Sequence, residues 1–201
     1  MNGPLQASNL GPDDRGTLGQ ATPNGAAGSS ARGLIAFHEA GHAAVGHSLG
    51  LTFGVIYVGD ASGQIIFDEQ WDREMVVHDA DLLDRYGLML LAGGHAEQRY
   101  VGGVFGAQRD GEILERMLAE ARRRGTMPIA NLWQRAERQV AERWTAIEAL
   151  ADELENRGAP ISNLAEVLTQ YPYLGRIVAG TSGARARAIL DANQGPSESS
   201  S

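Results

Sequence analysis

The stretch Ala36–Gly50, AFHEAGHAAVGHSLG, carries three of the chain's five histidines and a single glutamate. Around it, Leu34, Ile35, Phe37, Ala40, Ala43, Ala44, Val45 and Leu49 are dense enough in apolar side chains for a largely buried helix, which Gly50 ends. On such a helix residues four apart stand one above the other, so His38 and His42 present their imidazoles on one face, spaced to grip one ion. Glu39 lies about a quarter turn away and can reach a water beside that ion. H-E-x-x-H is expected by accident in roughly one chain in a hundred of this length and composition. Two imidazoles are too few for a catalytic zinc, which takes three protein ligands and keeps one open position.

With no cysteine in the chain, the third ligand must be nitrogen or oxygen. His47 points in another direction on the same helix and is read as a capping or surface histidine. His78 and His95 are read as ordinary solvated or satisfied histidines. Among the carboxylates, Glu97 in LAGGHAEQR and Asp110 in GAQRD both remain candidates on the residues alone.

The rest of the chain fits one folded domain. Its 201 residues, with 43% hydrophobic and 21% charged, are globular values. A formal charge of -8 argues against tracking nucleic-acid phosphates. The start lacks a basic, then apolar, leader, and the longest apolar run is far short of the roughly 20 residues of a membrane span. A cytoplasmic protein without membrane insertion is therefore expected.

Residues 1–32, rich in Gly, Pro, Ser, Asn and Thr, read as a flexible arm, and residues 193–201 as a disordered tail. Between them, 33–192 form the domain. FGVIYV (53–58) and GQIIFD (63–68), joined by a turn, predict a hairpin. Helices are expected over 79–100, 110–124, 128–156, 163–170 and 183–192. Gly93 and Gly94 disfavour the first of these unless another helix approaches closely there. Gly41, Ala43, Ala44 and Gly46 likewise read as room for neighbouring helices. The fold class is mainly α (α+β), a helical domain with one small hairpin.

Three segments together resemble the peptidase domain of the FtsH family of ATP-dependent zinc metalloproteases. His38–Ala43 repeat that family's HEAGHA. LAGGHAEQRYVGG (91–103) is similar to its LAGRAAEELVFG, keeping Leu91, Ala92, Gly93, Ala96, Glu97 and Gly102. GAQRDGEILERMLAEA is similar to STGASNDLERAT, the element that supplies the family's aspartate ligand.

The resemblance implies a zincin-like metallopeptidase fold, zinc on His38, His42 and Asp110, and Glu39 as general base. It makes Glu97 a partner of a ligand or an alternative ligand. The reaction implied is hydrolysis of peptide bonds in unfolded or flexible substrates, with the hairpin edge available to pair with an extended peptide. The chain departs from the family in lacking a G-x-x-x-x-G-K-[ST] phosphate loop, an ATPase module and a membrane segment. Any ATP dependence would then require a separate ATPase or assembly partner. Two alternatives stand beside it: a non-catalytic zinc-binding regulatory module, which the missing ATPase makes reasonable, or a protease of another type that also uses HExxH and cleaves one repressor.

Overall fold

The histidine helix forms as α1, Ala31–Ser48, beginning two residues inside the expected arm. Ser30 caps it, its hydroxyl accepting from the Gly33 amide at 2.8 Å and so satisfying one of the amides a helix start leaves open. The computed structural model describes residues 30–59, 62–67, 73–127, 129–157 and 177–194. The expected helix over 163–170, most of the arm and nearly all of the tail lie outside those residues.

From Glu39 to Gly46 every residue of α1 is buried, because the helix is covered on several sides at once. Helix α3 (Ala80–Val101) packs along one side. Asp79 caps α3 by accepting from the amides of Asp81 and Leu82, at 2.9 and 3.1 Å, and Gly102, at φ 75°, ends it in the left-handed region that glycine tolerates.

The two backbones come so close that a Cβ on Gly41 would stand 2.7 Å from the Ala92 carbonyl oxygen. Glycine and alanine at the crossing are thus a condition of the packing. The small residues of HEAGHA and of LAGG serve one contact.

The hairpin forms as β1 (Phe53–Gly59) and β2 (Gly63–Phe67). It gains a third strand that was not anticipated, β3 (Ile177–Ser182), antiparallel to β1, giving the order β2-β1-β3. The sheet lies against α1, leaving β2 as the edge next to the histidine helix.

A short helix, α2 (Arg73–His78), is also new. Its Val76 and Val77 join Leu83, Leu114 and Met117 in a second apolar cluster beneath α4 (Gln108–Arg123).

The single helix expected over 128–156 is instead three pieces. Asn131 sits in the left-handed region at φ 61°, so α5 starts only at Leu132 and runs to Glu142; Ile129 is left exposed. At Arg143 the helix breaks, and α6 runs Trp144–Asp152 into a π-helical turn, Glu153–Arg157. The reason is directional: α5 packs on α3 whereas α6 packs on α1, and one straight rod cannot follow both. The Arg143 guanidinium helps, donating at 3.3 Å to the Gln139 carbonyl that an unbroken helix would engage.

Helix α7 (Gly183–Ala192) forms over the expected residues, capped by Ser182 and packed on α6. The whole is mostly helical with one small antiparallel sheet. Among the described residues no helix is long and apolar enough to cross a membrane.

Candidate metal centre

Helix α1 delivers His38 and His42 to the face that meets α3, with their rings edge-on at 85° and centroids 4.4 Å apart. Each ring is fixed by its far nitrogen. His42 Nδ1 donates to the Met89 carbonyl at 2.7 Å, and His38 Nδ1 donates to the Glu97 carboxylate at 2.8 Å. Both partners accept, so each Nδ1 carries a ring hydrogen and each Nε2 is the atom left to face the other ring.

Those two Nε2 atoms face one another at 2.8 Å. Asp110, in the first turn of α4, adds its Oδ2 at 3.0 Å from His38 Nε2 and 3.3 Å from His42 Nε2. Three atoms able to serve as ligands, His38's once its Nε2 proton leaves, therefore converge on one point. They all lie within 4.8 Å of one another, and the His38, His42 and Asp110 group could hold a metal ion. The proton held by His38 compensates the Asp110 charge, and a metal ion would take that proton's place.

Gly93 of α3 makes the arrangement possible. A Cβ there would fall 2.5 Å from His42 Nε2 and 2.8 Å from His38 Cε1, so no other residue leaves the rings their place.

Glu97 is almost wholly buried yet fully engaged. Besides His38, it accepts from the amides of Phe105 at 2.6 Å and Gly106 at 3.0 Å. It meets His38 at Nδ1, the nitrogen opposite the convergence point, and so orients the ring from behind. Gly106 is the only residue type that lets the loop close on it, since a Cβ there would sit 2.6 Å from Glu97 Oε1.

The electrostatics follow from this crowding. Burial would lower the proton affinity of His38, but bonds to Asp110 and Glu97 and the charge of Glu39 overcome it and raise its pKa to about 10. Burial works against Asp110 and Glu97 as well, yet both are held below the usual carboxylate range, Asp110 by His42 and His38, Glu97 by His38 and the loop amides. The carboxylates thus build a site that favours positive charge.

Glu39 is the opposite case. Buried beside β2, with a Cβ on Gly63 destined to fall 2.4 Å from its side chain, it has its pKa raised by desolvation against the pull of both histidines.

The other histidines are elsewhere engaged. His47 Nε2 binds Asp191 of α7 at 2.8 Å, His78 meets Arg124, and His95 is buried under Trp133 with ring centroids 4.3 Å apart. No family model matches the chain, and no curated protein matches it.

The structure brings together the residues singled out from sequence and adds four that reasoning from ligands did not find: Gly63, Gly93, and the amides of Phe105 and Gly106. Of these, only the paired glycines of LAGG gave a sequence signal, as the place where α3 needed a neighbour close by.

Proposed function

We propose that the chain is a zinc metallopeptidase whose fold resembles the FtsH peptidase domain, acting on peptides and unfolded or flexible protein segments. The observation that carries the reading is the convergence of His38 Nε2, His42 Nε2 and one Asp110 carboxylate oxygen, with Glu39 buried alongside. The donor set, two imidazoles and a carboxylate without thiolate, suits a catalytic zinc, which keeps a further position open.

When bound, zinc supplies a Lewis acid that polarises the peptide carbonyl and acidifies water. The chain does the rest. His38, His42 and Asp110 would hold the ion, and Glu97 and the Met89 carbonyl hold the imidazoles.

Glu39 takes the proton of the attacking water as its oxygen bonds to the carbonyl carbon. It then returns that proton to the amide nitrogen as the C–N bond breaks, releasing an acid and an amine. A carboxylate with a raised pKa is suited to this double duty near neutral pH. The β2 edge beside Glu39 is positioned to pair with an extended peptide through main-chain hydrogen bonds.

The test is Glu39→Gln, expected to retain zinc and lose cleavage of casein. Undiminished cleavage refutes the base, and wild-type protein that holds zinc while cleaving no unfolded substrate refutes the enzyme.

A further inference from the structure

Although the chain is acidic, with a formal charge of -8, basic residues gather at the far end of α4. Arg122, Arg123 and Arg124 follow one another there, with Arg116 nearly two turns earlier, and Glu120 is the one acid from Arg116 to Asn131. The helix dipole favours cations at this end. It does not account for what lies beside them, three large apolar side chains standing in water.

Met127 is 60% exposed, Ile129 57% and Met75, on α2, 60%. Met75 stands one turn before His78, which accepts from the Arg124 guanidinium, so α2 brings it to the same cluster. Single exposed apolar residues are unremarkable, but several grouped around one cationic end mark an interaction surface.

The arrangement is fixed by the backbone. Gly125, at φ 80°, takes the left-handed conformation that ends α4. Its amide donates to the Arg122 carbonyl at 3.1 Å, and the Thr126 amide donates to the Ala121 carbonyl at 2.9 Å. This double closure turns the chain sharply and holds Met127 at the end of the helix that carries the arginines. Glu120 accepts from both Arg123 and Arg124 on the helix flank, while Arg122 is exposed and the Arg123 side chain stays 67% exposed.

Guanidinium groups interleaved with exposed aliphatic side chains suit a surface that is anionic outside and apolar beneath. An acidic protein would answer the charges but would need a shaped pocket for each apolar group. A lipid surface answers both without one.

We infer that this end of α4 is a docking surface for membranes containing anionic lipid, with Arg122, Arg123 and Arg124 on the headgroups and Met127 and Ile129 dipped between them. The contact is peripheral and needs no spanning helix. It lies about 20 Å along α4 from Asp110, so docking leaves the metal centre uncovered and is independent of the peptidase reading.

The experiment mixes the full chain with sucrose-loaded vesicles, either of phosphatidylcholine or of equal parts phosphatidylcholine and phosphatidylserine, and reads the bound fraction after sedimentation. Binding is expected to the phosphatidylserine vesicles alone, falling as salt is raised. Arg122→Ser with Arg123→Ser should weaken it about 25-fold, or about 5-fold for each charge removed, while the paired changes to Lys hold it within about 3-fold. Met127→Ser with Ile129→Ser should weaken it at least about 10-fold and leave its salt dependence unchanged. All four side chains are exposed, and circular dichroism checks that the fold persists.

No binding to phosphatidylserine vesicles, or binding that either Ser double variant leaves untouched, overturns the inference. Equally tight binding to soluble polyglutamate or duplex DNA, indifferent to the Met127 and Ile129 changes, overturns it too and gives the arginines to an acidic protein or a nucleic acid. So does lipid-free self-association that both Ser double variants abolish, which assigns the surface to a second copy of the chain.

Discussion

Replacing Gly93 by alanine sets a local gain against a loss at the metal centre. In a helix interior the change ordinarily stabilises by about 0.5–1 kcal/mol. Here the added methyl would stand 2.5 Å from His42 Nε2, 2.6 Å from His42 Cε1 and 2.8 Å from His38 Cε1. Unstrained contacts need about 3.5 Å, so both rings must retreat by about 1 Å. They are not free to do so, being anchored at 2.7 Å to the Met89 carbonyl and at 2.8 Å to Glu97.

Metal–nitrogen bonds tolerate only about 0.2 Å. Zinc affinity should therefore fall by about 100-fold or more, about 2.7 kcal/mol. Competition with a chromophoric chelator measures the affinity, and far-UV circular dichroism checks that α3 persists. Gly111→Ala is the control: its Cβ would meet nothing within 4 Å, so zinc binding should stay as in the wild type. A Gly93→Ala protein that binds zinc as the wild type does would show that α3 does not limit where the imidazoles sit.

Glu97 accepts three hydrogen bonds and donates none, so Glu97→Gln sets an amide hydrogen against an N–H; zinc affinity should drop about 10- to 100-fold, read by the same competition. Asp84, buried on α3, binds the Arg135 guanidinium of α5 through both oxygens, one at 2.6 Å. Asp84→Ala should cost about 2 kcal/mol in urea unfolding, below the value for a fully buried pair because Arg135 keeps some water. A loss near zero would mean that α5 is held by its apolar face alone. Zinc must displace the proton that His38 retains up to about 10, so affinity should rise about tenfold per pH unit from mildly acid pH towards that point. Calorimetry in buffers of different ionisation enthalpy should show about one proton released, and a pH-independent affinity would refute the charge state of His38.

The spacing of His38, Glu39 and His42 was readable because helical geometry converts i, i+4 directly into a shared face. The hairpin was readable from two β-branched runs around a turn. Asp110 was not readable from periodicity or spacing, because a ligand from a distant helix leaves no local mark; only the resemblance singled it out.

The third strand was invisible for a similar reason. IVAGTS is short, and its pairing with β1 depends on a segment far along the chain. The break at Arg143 escaped notice because the apolar spacing runs on through it; what changes there is the partner, from α3 to α1. Trp133 fitted the apolar period and yet stands half in water, since the period marks a face and not what covers it.

Helix α4 packs mainly on α2 and α3, whereas the two histidines belong to α1, at the centre of the core. An ion shared by His38, His42 and Asp110 would close a loop of roughly 70 residues, a constraint that loop-closure entropy puts at about 4 kcal/mol. In a chain with no cysteine, that ion would take the place of a disulfide. Chelation would then loosen the far helix as well as silence the chemistry, so thermal melting should report on the metal as directly as catalysis does.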